Sequence, residues 1–155
     1  MADYTLKMRK EEAREKIASL LKCSHNELIF TSGATETSQI IFTSLINHPF
    51  KNEIIISDRE HAATREMARS MKMLGYEVKV VESKKDGFVT VESLLKLIND
   101  KTAIISLIFV DNETGAIEPI IEIGEAVKKI KINGNKPHFH VDCVQGLGKI
   151  PIDLS

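Results

Sequence analysis

Several residues in this chain have side chains suited to chemistry, and each stands where an apolar stretch gives way to a loop. Gly33-Ala34-Thr35 opens a helical pattern. Unpaired backbone N–H groups at a helix start, with the helix dipole behind them, attract an anion, and the Thr35 hydroxyl adds a donor. An ordinary Ser/Thr cap is the alternative. Asp142 closes an apolar run, where a carboxylate needs a cationic or N–H partner to offset the cost of burial. A pyridinium nitrogen would serve, and so would a helix start that Asp142 caps. His61 lies between a strand and a helix, placed either to stack on a planar ring and move a proton or merely to cap. Asn112 and Gln145 are neutral hydrogen-bonding residues that also suit plain loop structure.

Two other groupings carry less. Gly146-Leu147-Gly148-Lys149 has the look of a phosphate loop, but the leading glycine is not at the right distance and Ile150 stands where Ser or Thr is needed. His138 and His140 share one strand face without a third ligand at a fitting spacing, so no metal site is expected. Cys23 and Cys143 form neither a C-x-x-C pair nor a metal-ligand spacing and read as reduced thiols.

The elements that must position these residues alternate along the chain. Helical spacing of Ala13, Ile17, Leu20 and Leu21 precedes a predicted strand at Leu28–Thr31. A helix follows over Thr35–Asn47, with Ile40, Ile41 and Leu45 inward and a stop at Asn47-His48-Pro49. Glu53–Ser57 is the second strand. Ala62–Leu74 is a helix with Ala63, Met67, Met71 and Leu74 on one stripe and Gly75 as its left-handed cap. Tyr76–Val81 is the third strand. Thr90 caps a helix carrying Val91, Leu94, Leu95 and Ile98. Ala103–Val110 is the fourth strand. Pro119 begins a helix that buries Ile123, Ala126, Val127 and Ile130 and ends at Asn133-Gly134; Pro137–Val141 is the fifth strand.

Strands joined by single helices pair in parallel through right-handed crossovers. Ile54-Ile55-Ile56 and Ile104-Ile105 are apolar on both faces, as a sheet covered by helices on both sides requires. The expected fold is therefore α/β, three-layered, with a mainly parallel sheet. Ligands bind beyond the carboxyl ends of such strands. Gly33-Ala34-Thr35, His61, Asn112 and Asp142 with Gln145 then fall at one edge, on separate loops.

Composition sets the bounds. The 155 residues suit a single domain, here 1–155, and at 43% hydrophobic and 28% charged the chain is neither disordered nor membranous. No apolar run approaches the roughly 20 residues that span a bilayer. A net charge of −1 without a basic block gives no sign of a nucleic-acid partner. Met1–Leu6 lacks the layout of a secretory signal, which leads us to expect a cytoplasmic protein.

From about Glu11 to Ser155 the sequence resembles the cysteine desulfurases of the class V aminotransferase group, which have the type I pyridoxal-phosphate fold. The likeness rests on ordered stretches: IFTSGATE at Ile29–Glu36, Glu60-His61, DNETGAIEPI at Asp111–Ile120 and HVDCVQGLGKIPIDL at His140–Leu154. The resemblance implies pyridoxal 5'-phosphate as cofactor, with Gly33, Ala34 and Thr35 on its phosphate. His61 would stack on the ring and assist proton transfer. Asn112 would contact a ring oxygen or the substrate carboxylate, Asp142 would pair with the ring nitrogen, and Gln145 would bond the ring hydroxyl. It also implies L-cysteine as substrate, a homodimer, an iron–sulfur scaffold protein as possible sulfur acceptor, and, from the NETG form, the branch serving iron–sulfur assembly.

By the same resemblance, the lysine that carries the cofactor, the arginine that grips the substrate and the cysteine that takes the sulfur lie beyond Ser155. Neither Cys23 nor Cys143 matches that cysteine's place. The chain is then an incomplete cofactor-binding domain, expected to be inactive alone. The alternatives are one subunit of a split enzyme or a non-catalytic phosphate-binding or interaction domain. Met1–Met8 matches the family poorly. In the family's sheet the first strand pairs with a late antiparallel strand that this chain lacks. The remaining strands should form one patch with exposed edges, and we expect association or rearranged pairing there.

Overall fold

The computed structural model of the chain describes residues 2–46, 51–85, 87–131 and 136–154. Along the chain run α1 (Ala2–Leu21), a 3-10 turn (His25–Glu27), α2 (Ala34–Thr43), β1 (Glu53–Ser57), α3 (Ala62–Met73) and β2 (Glu77–Val81). After these come α4 (Val91–Leu95), β3 (Thr102–Ile108), α5 (Ile120–Lys129) and β4 (His138–Asp142). The strands form a four-stranded sheet in the order β2-β1-β3-β4, and every pairing is parallel.

The isoleucine runs explain the layering. Successive strand residues face opposite sides, so Ile54 and Ile56 pack with Phe42, Leu45, Ala68 and Met71 from the α2–α3 side. Ile55 packs with Leu94, Ile123 and Val127 beneath α4 and α5. All residues of β1 and β3 are buried. The expected three-layer α/β architecture is the one observed.

Several local expectations need correction. Leu28–Thr31 is not a strand and pairs with none among the described residues. Ile29 and Phe30 stay exposed, Ile29 at 77%, and the Arg14 guanidinium donates to the Leu28 carbonyl and lies 4.8 Å from the centre of the Phe30 ring. A strand needs a neighbour for its backbone groups, and none is at hand there. Leu20, Ile40 and Leu74 are exposed rather than inward. On α3 the buried stripe is Thr64, Ala68 and Met71, with Ala63 and Met67 only half-buried. The helix after Thr90 is a single short turn of five residues, although its capping box forms. Ala126 and Ile130 are only half-buried. The expected helix ends at Asn47–Pro49 and Asn133-Gly134 lie outside the described residues.

Candidate functional site

Strand register sets the site. β3 and β4 pair Ile108 with Asp142 at their carboxyl ends, and the loop after β1 brings His61 beside them. A pocket of about 150 Å³ is lined by Ala34, His61, Ile108, Asn112, Asp142, Val144 and Gln145. The chain thus gathers Ala34, His61, Asn112, Asp142 and Gln145 from four loops around one cavity. Gly33 and Thr35 flank Ala34 at the start of α2 but do not line the pocket.

Each side chain has a local reason for its place. Gly33 precedes α2 at φ 156° and ψ 178°, a backbone region essentially confined to glycine. Beside it Thr31 and Thr37 share a hydroxyl contact of 2.9 Å, and the Glu36 carboxylate accepts the Ser32 N–H, which holds its pKa below the usual value. His61 caps α3, with Nδ1 accepting the Ala63 N–H at 3.2 Å. The capping role and the pocket role therefore coexist: with Nδ1 accepting, the ring N–H is the one on Nε2. Asp142 Oδ1 accepts the Val144 N–H at 2.9 Å and shapes the turn after β4. Among the described residues no cation pairs with Asp142. Gln145 accepts from Lys149 Nζ at 2.8 Å through its oxygen, which leaves the amide donors for other use.

Asn112 is exposed on a loop stapled by its neighbours. Asp111 accepts from the Glu113 N–H, the Thr114 hydroxyl and Arg59. Val110 and Ile117 bridge antiparallel behind it. Burial alone would push the Asp111 carboxyl up, but those donors outweigh it and hold it at about 2.

Sequence reasoning missed a polar layer below the pocket. Glu60 is fully buried; its Oε1 accepts the Ser57 hydroxyl at 2.6 Å and the Ile108 N–H at 2.7 Å. Ser106 lies 3.5 Å from Glu60 Oε2 and 2.9 Å from His140 Nδ1. Burial drives the Glu60 carboxyl up to about 7 against its hydrogen bonds, and the charge of Asp142 adds to the rise. Burial lowers the His140 pKa. Burial likewise raises Glu118 to about 7, although the Val89 N–H donates to it. The one available signal was Glu60 next to His61, an acidic residue three positions after the apolar strand ends at Ser57.

Gly146 has a packing role: a Cβ built there would stand 2.4 Å from the Phe109 ring. The glycine is needed for that approach.

A parallel sheet with helices on both faces, with polar side chains gathered around a pocket beyond its strand ends, defines the class. Residues 3–155 match the family described as Aminotransferase class-V, and the chain belongs to it. The match begins ahead of Glu11 and takes in most of Met1–Met8, which was expected to fit poorly. Within that family the chain is 38% identical over 146 residues to the mitochondrial cysteine desulfurase of Eremothecium gossypii, covering 93% of this chain and 29% of the relative. It is 36% identical over 148 residues to cysteine desulfurase IscS of Dechloromonas aromatica, covering 94% and 35%. A solved NifS-like protein superposes with a TM-score of 0.90 at 34% identity, over 99% of this chain and 42% of that one. A protein named SspA, solved in complex with cysteine, superposes with a TM-score of 0.87 at 28% identity, over 98% and 43%. The chain spans about a third of the length of the curated relatives it matches. No described helix is long and apolar enough to cross a membrane.

Proposed function

We propose that this chain is the cofactor-binding part of a pyridoxal-phosphate-dependent cysteine desulfurase, which converts L-cysteine to alanine and leaves the sulfur on the enzyme as a persulfide. The supporting observation is the Asp142 carboxylate, which has no cationic partner among the described residues and lines the same pocket as His61, Asn112 and Gln145. A half-buried carboxylate facing a pocket suits a protonated ring nitrogen. The residues fit the cofactor. The backbone N–H groups of Ala34 and Thr35, with the Thr35 hydroxyl, would hold its phosphate. Asp142 would keep the ring nitrogen protonated, Gln145 would bond the ring hydroxyl, and Asn112 would contact a ring oxygen or the substrate carboxylate. His61 would stack on the ring and carry a proton through Nε2, because Nδ1 is engaged by the Ala63 N–H. Bound there, the cofactor supplies an electron sink for charge developing at the substrate α-carbon. The relatives named as cysteine desulfurases support L-cysteine as substrate, and iron–sulfur assembly as the destination of the sulfur belongs to the same proposal. A homodimer, a scaffold protein as sulfur acceptor and a cytoplasmic location belong to the same proposal.

Absorbance titration of the complete polypeptide with pyridoxal 5'-phosphate should show a bound-cofactor band, and cysteine should release sulfide. Both should fail in Asp142→Ala and His61→Ala. Full activity in either variant removes that residue from the site, and absence of binding in the parent sinks the reading.

A second reading, a split enzyme whose other chain supplies the lysine, the nucleophile and the missing strands, has one observation in its favour. An apolar groove beside the β4 edge, lined by Ile120, Ile121, Phe139, Val141, Leu147 and Leu154, leaves Ile121, Leu147 and Leu154 exposed. Co-purification of a chain carrying the lysine segment would support it; a single polypeptide active by itself would exclude it.

A further inference from the structure

Three of the pocket's lining residues stand directly beside members of the buried polar layer. Glu60 precedes His61. Ser106 and Ile108 lie two apart on β3, and His140 and Asp142 two apart on β4, so each pair shares a sheet face. Register aligns them across the strands, Ser106 with His140 and Ile108 with Asp142. Glu60 reaches across to β3 through the Ile108 N–H and back to β1 through Ser57. A shift in this layer would move three sides of the pocket together.

The contacts also have a direction. Glu60 Oε1 already accepts two donors, so Oε2 is the oxygen that addresses Ser106. Ser106 has one proton to give and stands between Glu60 Oε2 and His140 Nδ1. We infer that Glu60, Ser106 and His140 are positioning residues of the pocket, linked through the Ser106 hydroxyl, which stands 3.5 Å from Glu60 Oε2 and 2.9 Å from His140 Nδ1; when Glu60 holds a proton on Oε2, the bonds run from Glu60 Oε2–H through the Ser106 hydroxyl to His140 Nδ1. In that arrangement the His140 ring bears its proton on Nε2. If Glu60 loses its proton to solvent, it can only accept. Ser106 then turns its hydroxyl toward Glu60, and His140 moves its proton from Nε2 to Nδ1 to donate to Ser106; the imidazole stays neutral throughout. The charged groups around Glu60 are Asp142 from β4, which opposes its ionisation, and Arg65 from α3, which donates to the Glu60 carbonyl. His140 faces the same Asp142, while burial lowers the pKa of its ring.

The hydrogen-bond network stands independently of the proposed function; only the choice of pyridoxal 5'-phosphate as ligand rests on it. Long-range 1H–15N spectra of the histidine rings in 15N-labelled protein, between about pH 6 and pH 9, read the His140 tautomer directly as a buried carboxyl near 7 titrates. The wild type should pass from the Nε2–H to the Nδ1–H form as pH rises. Glu60→Gln, whose amide donates to Ser106 at every pH, should stay in the Nε2–H form. Ser106→Ala should remove the pH dependence. Pyridoxal 5'-phosphate, followed by fluorescence quenching, should bind Glu60→Gln within about twofold of wild type and Glu60→Ala about tenfold or more weakly. An Nδ1–H ring in Glu60→Gln, a wild-type tautomer that ignores pH, or Glu60→Ala binding like wild type would each overturn the inference. Should Glu60→Ala fail to fold, Glu60→Gln and Ser106→Ala still decide it. If no variant binds pyridoxal 5'-phosphate, the functional reading falls and the tautomer result stands alone.

Discussion

Arg59 Nη1 stands 2.7 Å from Asp111 Oδ2, so the loop after β1 is tied to the loop that presents Asn112. The pair is partly buried, with Asp111 7% and Arg59 26% exposed at the side chain. The Asp111 carboxyl sits at about 2 in the fold, below its ordinary value of 3.8. A depressed folded pKa stabilises above the unfolded value, and that contribution is lost as pH falls toward the folded one. Between about pH 4 and pH 2 the fold should therefore lose on the order of 2 kcal/mol from this group. Asp111→Asn should remove that acid dependence and weaken the fold at neutral pH by a similar amount. Urea titrations at a series of pH values measure both.

Glu60 and Glu118 act in the opposite sense. Both have folded pKa values raised to about 7 from 4.5. The folded chain then holds protons that the unfolded chain releases, so stability is greatest below pH 4.5 and declines as pH rises toward 7. Thermal unfolding midpoints should fall across that window. Glu60→Gln should flatten the fall and exceed wild type above pH 7 by roughly 2–3 kcal/mol. With Asp111 titrating at lower pH, maximum stability should lie near about pH 4 to 5. A midpoint that climbs from pH 5 to pH 8 would show that burial does not govern these carboxyls.

Asp142→Asn separates the charge at the end of β4 from the turn it shapes. Asparagine keeps an oxygen for the Val144 N–H, and the unfolding free energy from urea titration should change by less than about 0.5 kcal/mol. Affinity for pyridoxal 5'-phosphate, read by absorbance titration, should fall about tenfold or more, because a neutral amide does not hold a ring nitrogen protonated.

The parts of the fold legible in the sequence are those whose pattern encodes them locally. Ile54-Ile55-Ile56 is apolar on both faces, and the strand it forms, Glu53–Ser57, has the predicted bounds. Gly75 takes the expected positive φ of 89°. Leu28–Thr31 has the same apolar character, but a strand also needs a neighbour, which composition does not show. The gathering of His61, Asn112, Asp142 and Gln145 was legible because parallel topology sends every strand's carboxyl end to one edge. Glu60, Ser106 and His140 were not legible as a group. Their contacts join positions 46 and 34 apart, and a serine or histidine in a strand gives no sign of which way it bonds.

His61 serves both as a helix cap and as a wall of the pocket, and two variants distinguish the roles. Asparagine caps a helix well, so His61→Asn should keep α3 stable while removing the ring. His61→Ala should lose both, at about 1 kcal/mol of fold stability. If ring stacking holds the cofactor, the two variants should lose pyridoxal 5'-phosphate affinity equally. If capping holds the pocket open, Asn should bind like wild type and Ala should not.

Gly146 and Phe109 meet where the turn after β4 crosses the end of β3. Gly146 is buried, its N–H donates to the Cys143 carbonyl at 3.0 Å, and the Phe109 N–H donates to the Asp142 carbonyl at 2.9 Å. A methyl group at Gly146 would fall 2.4 Å from the Phe109 ring, inside any real contact, so the ring or the turn must shift. Overpacking of this kind costs typically about 1–3 kcal/mol. The turn also carries Gln145, so Gly146→Ala should lower stability by that amount and move Gln145 in the pocket. Phe109→Leu in the same chain gives the methyl more room and should recover part of the loss, because the two residues share one contact. A double-mutant cycle in urea measures the coupling; strictly additive changes would place the strain elsewhere in the turn.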